Sequence, residues 1–237
     1  MKILYIFPHP DDESFGPAAA IWNQVQQGHR VFLLTLTKGG ATKVRFEYGY
    51  SVEDMGNVRY AEMQEVAKVL QLANLTVLNL PDSGLKEIDP RIIEQAVEEH
   101  IKLIQPGIVV TYPVHGVSGF HDHLVTHAVV KRVFVTMQEQ GCNYLKRLAF
   151  FTVSEEMSNS NNGIHRIQGS KPHEIDCIVQ LSEADLEKMN RALDCYKTYA
   201  GVIDQSFKKS GVFPYTCFEI FNEQHQPPLT QLTQNLP

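Results

Sequence analysis

Short apolar runs alternate along this chain with longer segments of helical period, the pattern of βαβ units wound around a mostly parallel sheet. Ile3–Phe7 reads as a first strand, Ala18–Gln27 as a helix, Val31–Leu36 as a second strand, and Val58–Leu72 as a helix whose turns are marked by Val58, Ala61, Glu65 and Leu72. Thr76–Leu80 gives a third strand and Ile108–Tyr112 a fourth. Between them Pro90–Ile104 forms an amphipathic helix with Ile92, Ile93, Ala96, Val97, Ile101 and Ile104 on one face. Leu124–Glu139 follows as another helix. The second half is less regular. Leu148–Val153 and Ile178–Leu181 read as strands, Ser182–Tyr199 as a helix opening on Ser182-x-x-Asp185, Ser158–Gly169 as an exposed loop and Gln226–Pro237 as a loosely held tail. The expected fold class is α/β: a Rossmann-like, mostly parallel sheet flanked by helices, with a C-terminal sheet extension and all 237 residues in one domain.

Composition narrows the function classes. The chain carries 21 Lys plus Arg against 27 Asp plus Glu, a formal charge of -6, and shows no basic cluster that would track phosphates, so a nucleic-acid partner is not expected. Cys142, Cys177, Cys195 and Cys217 form no CxxC pair, which argues against a zinc knuckle or dithiol motif and fits reduced thiols in the cytoplasm. The apolar run after Lys2 ends at Phe7, too short for a signal peptide, and no membrane span is expected.

In an open α/β sheet, ligands gather beyond the carboxyl ends of the strands. Three loops meet that condition, beginning at Pro8, Thr37 and Pro113. The first, Pro8-His9-Pro10-Asp11-Asp12-Glu13, packs an imidazole and three carboxylates into six residues. Alone it could be an exposed histidine beside a helix cap. The third loop, however, carries His115, His121, Asp122 and His123, with His127 one turn further on. A His/Asp/His set drawn from two adjacent strand ends, with a fourth position left for water, is the donor pattern of catalytic zinc, and it also suits ferrous iron. The middle loop offers Gly39 and Gly40 and then a long stretch to Gly56 that could wall a site. Arg59 with Glu62 could be a mere surface ion pair, and Pro81–Gly84 a turn. No Gly-x-Gly-x-x-Gly follows the first strand, which disfavours a nicotinamide enzyme.

The hexapeptide Pro8–Glu13 resembles, without a gap, the Ala/Pro-His-Pro-Asp-Asp-Glu signature of the LmbE-like, or PIG-L, family of zinc-dependent N-acetylglucosaminyl deacetylases. Phe120-His121-Asp122-His123 is similar to that family's His-Pro-Asp-His segment, and Arg59-x-x-Glu62 and Pro81-Asp82 to its middle motifs. The resemblance covers about residues 1–135. It implies a zinc ion held by His9, Asp12 and His123, Asp11 as general base, and substrate contacts from Arg59 and Asp82. It further implies an amino-sugar amide as substrate, a small soluble glycoside such as N-acetylglucosaminyl-malate being favoured, and it is compatible with a homo-oligomer. One departure stands out: the family's first His of that segment stabilises the oxyanion, and here the position is Phe120, which cannot donate a hydrogen bond. His121 is the expected replacement, with His115 and His127 as alternatives. Two rival readings remain: a metal-dependent hydratase of an unsaturated acid, separable by acetate release, and a sugar-binding protein without turnover.

Overall fold

Strand β1 (Lys2–Phe7) is the hub of the sheet: it pairs in parallel with β2 (Arg30–Thr37) on one side and β4 (Ile108–Thr111) on the other. Its residues are covered on both faces, which is why it is a continuous apolar run without polar alternation. Strand β3 (Asn74–Leu80) lies outside β2, and β5 (Arg147–Thr152) pairs in parallel with β4. Beyond β5 the direction changes, because β7 (Tyr215–Ile220) runs antiparallel to it and also pairs antiparallel with β6 (Cys177–Gln180). The order is β3-β2-β1-β4-β5-β7-β6, a seven-stranded, mostly parallel sheet with the expected C-terminal extension. The computed structural model describes residues 1–160, 166–210 and 213–237, and the side chains of all these except 206–210.

Alternation along the strands divides the core in two. Ile3, Tyr5, Phe7, Val31, Leu33, Ala149 and Phe151 point to the face covered by helices α2 (Ala18–Gln26), α3 (Val52–Val69) and α7 (Glu183–Leu193). Leu4, Ile6, Phe32, Leu34, Val109, Leu148 and Phe150 point to the face covered by α4 (Pro90–Ile104) and α5 (His121–Glu139). The remaining helices are short: α1 (Asp12–Phe15) and α6 (Glu155–Ser160), with α8 (Ala200–Ser210) before β7.

Several elements differ from the sequence reading: the expected helix Ser182–Tyr199 ends at Leu193, α8 and β7 were not expected, and three further differences have a clear physical cause. Helix α3 begins at Val52, six residues before the expected Val58, because Ser51 and Asp54 form a reciprocal capping box that satisfies the free amides of the first turn. Helix α5 begins at His121, so His121, Asp122 and His123 form its first turn where a loop was expected up to Leu124. The Gln226–Pro237 tail is held firmly. Leu229 and Leu232 are buried, the Leu229 amide donates to Asp176 O at 2.8 Å, and Arg147 Nη1 donates to Gln234 O at 3.1 Å. Two leucines entering the core outweigh a composition that reads as tail. Of the expected Ser158–Gly169 loop, residues 158–160 end helix α6 and 161–165 lie outside the described residues. The four cysteines are unpaired, and among the described residues no helix is long and apolar enough to cross a membrane.

Candidate metal centre and cavity

The loop after β1 is pinned before it does anything else. Thr37, at the end of β2, donates to Pro8 O through its amide at 3.0 Å and its hydroxyl at 2.9 Å. The His9 amide donates to Asp12 Oδ2 at 2.8 Å. Between them Asp11 takes a left-handed conformation, φ 81°, and Asp is among the few residues besides glycine that tolerate this. Its amide donates to Tyr196 Oη at 2.8 Å, and Tyr196 Oη in turn donates to Glu13 Oε1, also at 2.8 Å. The fully buried Glu13 is therefore an anchor that holds the Asp11 backbone through a tyrosine from the far side of the chain.

Arg59, 2% exposed, clamps the same loop. Its Nη2 donates to Pro10 O at 2.7 Å and to the Asp11 carboxylate, Nη1 donates to Gly39 O at 2.9 Å, and the guanidinium lies 4.2 Å from the centre of the Tyr199 ring. Gly39 has φ +65°, and a Cβ there would run into the guanidinium and the Pro10 ring, so the loop after β2 needs glycine at this point. Glu62 does not pair with Arg59. It accepts the Thr198 amide and hydroxyl, each at 2.8 Å, so both polar residues of this stretch of α3 fix the Tyr196–Tyr199 turn against the site. A surface ion pair was one sequence reading; both residues are buried.

His9, Asp12 and His123 converge, with one donor atom of each within 4.8 Å of the others. His123 Nδ1 lies 2.9 Å from Gly116 O, which can only accept, so the proton sits on Nδ1 and Nε2 is left as a lone-pair donor 3.4 Å from Asp12 Oδ1. His9 Nε2 lies 3.2 Å from Asp122 Oδ2, which leaves Nδ1 facing Asp12 Oδ2 at 3.5 Å. Ligand atoms about 2.0–2.1 Å from a tetrahedral zinc stand about 3.3 Å apart, so these spacings fit such an ion. A second grouping, His9 with Asp82 and Asp122, uses the other His9 nitrogen. Asp122 is already committed there, its oxygens accepting the Ser83 amide at 2.8 Å and the Leu85 amide at 3.2 Å, while Asp82 accepts the Ala41 amide at 2.6 Å. The first set is the better cation site.

The electrostatics agree. Burial pushes the Asp11 carboxyl up to about 7, with the Arg59 guanidinium opposing. Burial also acts against ionised Asp12, but charge and hydrogen bonding from His123 and His9 outweigh it and hold this carboxyl well below the usual range. For His9 burial disfavours the cation, and the Asp12 and Asp122 carboxylates overrule it, raising the imidazole to about 10. Carboxylates crowded into a buried site favour a cation among them. Tyr112 completes the floor: its ring stacks on His123 at 4.2 Å and its hydroxyl donates to Asp12 Oδ1 at 2.8 Å.

His9, Asp11, Asp12, Arg59, Asp82 and His123 all line one cavity of about 690 Å³. His121 does not. It is exposed and lies outside the cavity lining, because the α5 phase that turns Asp122, His123, Thr126 and His127 inward turns residue 121 out. Phe120 lines the cavity instead, its ring edge-on to His123 at 5.6 Å. The alternatives are placed elsewhere: His115 Nε2 lies 3.3 Å from Ser170 Oγ, and His127 Nδ1 lies 2.9 Å from Tyr112 O with its ring against Phe150. Among the described residues, His9 and His123 are the histidines that line the cavity. Sequence reasoning missed Tyr196 and Tyr112 as parts of the site, since no local pattern shows that a tyrosine at position 196 will reach residue 11.

A Rossmann-like sheet whose carboxyl edge carries a His/Asp/His cluster beside a further carboxylate in a common cavity defines a class of α/β proteins suited to metal-assisted chemistry. The chain belongs to the PIG-L family, described as GlcNAc-PI de-N-acetylase, whose profile matches residues 4–134. It is 28% identical over 167 residues to a 1D-myo-inositol 2-acetamido-2-deoxy-alpha-D-glucopyranoside deacetylase of Kineococcus radiotolerans, a match covering 59% of this chain and 46% of that protein. It is 25% identical over 173 residues to a probable N-acetyl-alpha-D-glucosaminyl L-malate deacetylase 2 of Bacillus anthracis, covering 72% and 71%. The chain thus spans about half the length of several curated relatives, as with the 46% of the Kineococcus protein. In fold it is similar to GalB, the 4-carboxy-2-hydroxymuconate hydratase of Pseudomonas putida KT2440, with a TM-score of 0.69, 11% identity, and 94% of this chain and 97% of that one covered.

Proposed function

We propose that the chain is a single-domain, metal-dependent amidohydrolase that removes the acyl group from an N-acetylglucosamine derivative, a small soluble glycoside being favoured over a polymer. The observation that carries this reading is the placement of the Asp11 carboxylate beside the His9/Asp12/His123 cluster in one cavity. A divalent metal held by those three residues, zinc by donor type, supplies a more acidic water and a polarised carbonyl. The chain's own residues do the rest. Asp11 takes a proton from the attacking water and returns it to the leaving nitrogen. Arg59, whose fork is directed at Pro10, Gly39 and Asp11, positions that carboxylate. Asp82 faces the cavity to accept from sugar hydroxyls, and Tyr112 and Asp122 orient the metal ligands. Amides of N-acetylglucosamine are supported by the family and by the relatives' activities.

Acetate release from a panel of N-acetylglucosaminides, measured together with metal content, tests the reading. Turnover with about one metal per chain is the expected result. Likeness in fold to a hydratase favours one competing reading, water addition to an unsaturated acid at the same cluster. Loss of a conjugated-acid absorbance without acetate release would select it.

A further inference from the structure

The cavity is chemically lopsided. Metal ligands follow β1 and β4 at mid-sheet, and the order β3-β2-β1-β4-β5-β7-β6 places different walls on either side of them. Toward β2 and β3 the lining is polar, with Thr42, Lys43, Arg59 and Asp82. Toward β5 and β7 it is mostly apolar, with Phe151, Val153, Ile167, Leu181 and Met189, Met157 from α6, and only the hydroxyls of Thr152, Tyr215 and Thr216 among them. Phe151, Val153 and Met189 are part of the main core, and Met157, Ile167 and Leu181 pack against it, so this wall is a continuation of close-packed interior.

An amide bound at the metal cluster has two substituents that leave in opposite directions. Sugar hydroxyls directed at the β5 side would leave water and meet three hydroxyls and no charged partner, whereas the β2 and β3 side offers the Asp82 carboxylate, the Lys43 ammonium and the Thr42 hydroxyl. The sugar therefore occupies the polar side and the acyl group the apolar side. An acetyl methyl needs about the room of one water, roughly 30 Å³. The cavity holds about 690 Å³, in the range that accommodates whole drug-sized ligands.

We propose that the wall formed by Phe151, Val153, Ile167, Leu181 and Met189 is an acyl-chain subsite, and that the preferred substrates are amino sugars carrying a medium-chain aliphatic N-acyl group. This rests on the amidohydrolase reading above and extends its acyl group from acetyl to longer chains on the same amino-sugar nitrogen. The water oxygen bonds to the acyl carbon as Asp11 takes one of its protons. The carbon–nitrogen bond then breaks, its electron pair goes to nitrogen, and nitrogen takes the proton from Asp11. The remaining acid proton passes to the amine, leaving a fatty carboxylate and an ammonium sugar.

The test is kcat/KM of the metal-loaded enzyme on one glucosamine glycoside bearing acetyl, butanoyl, hexanoyl or octanoyl on nitrogen. An increase of about fourfold per buried methylene is expected until the subsite is full. Acetyl turned over as fast as octanoyl overturns the subsite. So does an increase along a parallel series with acetyl fixed and the aglycone alkyl chain lengthened, which would put the aglycone on the apolar wall. Leu181→Trp and Met157→Trp, both at partly exposed positions, should each lower the octanoyl-to-acetyl ratio at least tenfold. An unchanged ratio in both, with native circular dichroism, also overturns it. Titration calorimetry with octanoate and with acetate separates the two levels of the proposal. Tight octanoate binding with a negative heat-capacity change, in a protein that hydrolyses no amide, keeps the subsite and removes the amidohydrolase reading. Octanoate binding no tighter than acetate removes the subsite.

Discussion

Around His9, Asp12 and His123 almost every polar atom has an assigned partner: His123 is aimed by Gly116, His9 by Asp122, Asp12 by Tyr112, and the Asp11 backbone by Tyr196. Elsewhere in the same cavity, along Phe151, Val153 and Leu181, the lining is apolar side chains backed by core. The first region works by direction, so moving one donor changes what the site can hold. The second works by volume and dryness, so its substitutions act in proportion to the space they alter. On the proposed function the chemistry of the reaction belongs to one wall of the cavity and the selection among acyl groups to the other, and the two should respond differently to mutation.

The largest effects fall on the directed side. His9→Ala, Asp12→Ala and His123→Ala should each reduce bound metal from about one per chain to a small fraction of that, since two protein ligands hold an ion poorly against water. Atomic absorption on dialysed protein reads this directly, and full occupancy in all three variants would dissolve the distinction between the walls. Asp11→Asn should keep its metal while turnover drops roughly 100-fold or more, the size expected for a lost general base. Undiminished turnover in that variant would move the base elsewhere.

Tyr196→Phe sharpens the comparison, because Tyr196 touches no proposed ligand yet is the acceptor for the Asp11 amide and the donor to Glu13. Losing both bonds in a buried setting should cost about 1–3 kcal/mol, read by urea unfolding, and should lower kcat while leaving metal content as it was. A variant that loses stability alone would make Tyr196 structural only. The smallest effect is expected at His121, which is exposed on the outer side of α5. His121→Ala should retain turnover within about twofold of the parent, as surface substitutions generally do. A large drop in kcat with metal retained would show that α5 shifts its first turn when substrate binds.

The motif-bearing loops and the strands of the parallel half were legible because their signals are local. Strand β1 is a continuous apolar run followed at once by the donor residues, and α4 carries its face at regular spacing, so Pro90–Ile104 was read to the residue. The phase of α5 was not legible. Gly119-Phe120-His121 reads as loop, and nothing in that string says the helix opens at residue 121 and turns His121 outward. The tail was misread for a related reason, since the burial of Leu229 and Leu232 depends on what lies beneath them.

By itself, then, the sequence determined the parallel βαβ framework, the chemical types of the candidate metal ligands and the strand ends that carry them, since periodicity and ligand chemistry are properties of neighbours along a chain. Tertiary structure alone decided which nitrogen of each histidine faces Asp12, that Arg59 clamps Asp11, and that Tyr196 holds the loop from 185 residues away. It also decided that one side of the cavity is apolar, because Phe151, Leu181 and Met189 become one surface only when β5, β6, β7 and α7 pack together. Direction and enclosed volume are set by the packing of distant segments, and no local stretch of residues encodes them.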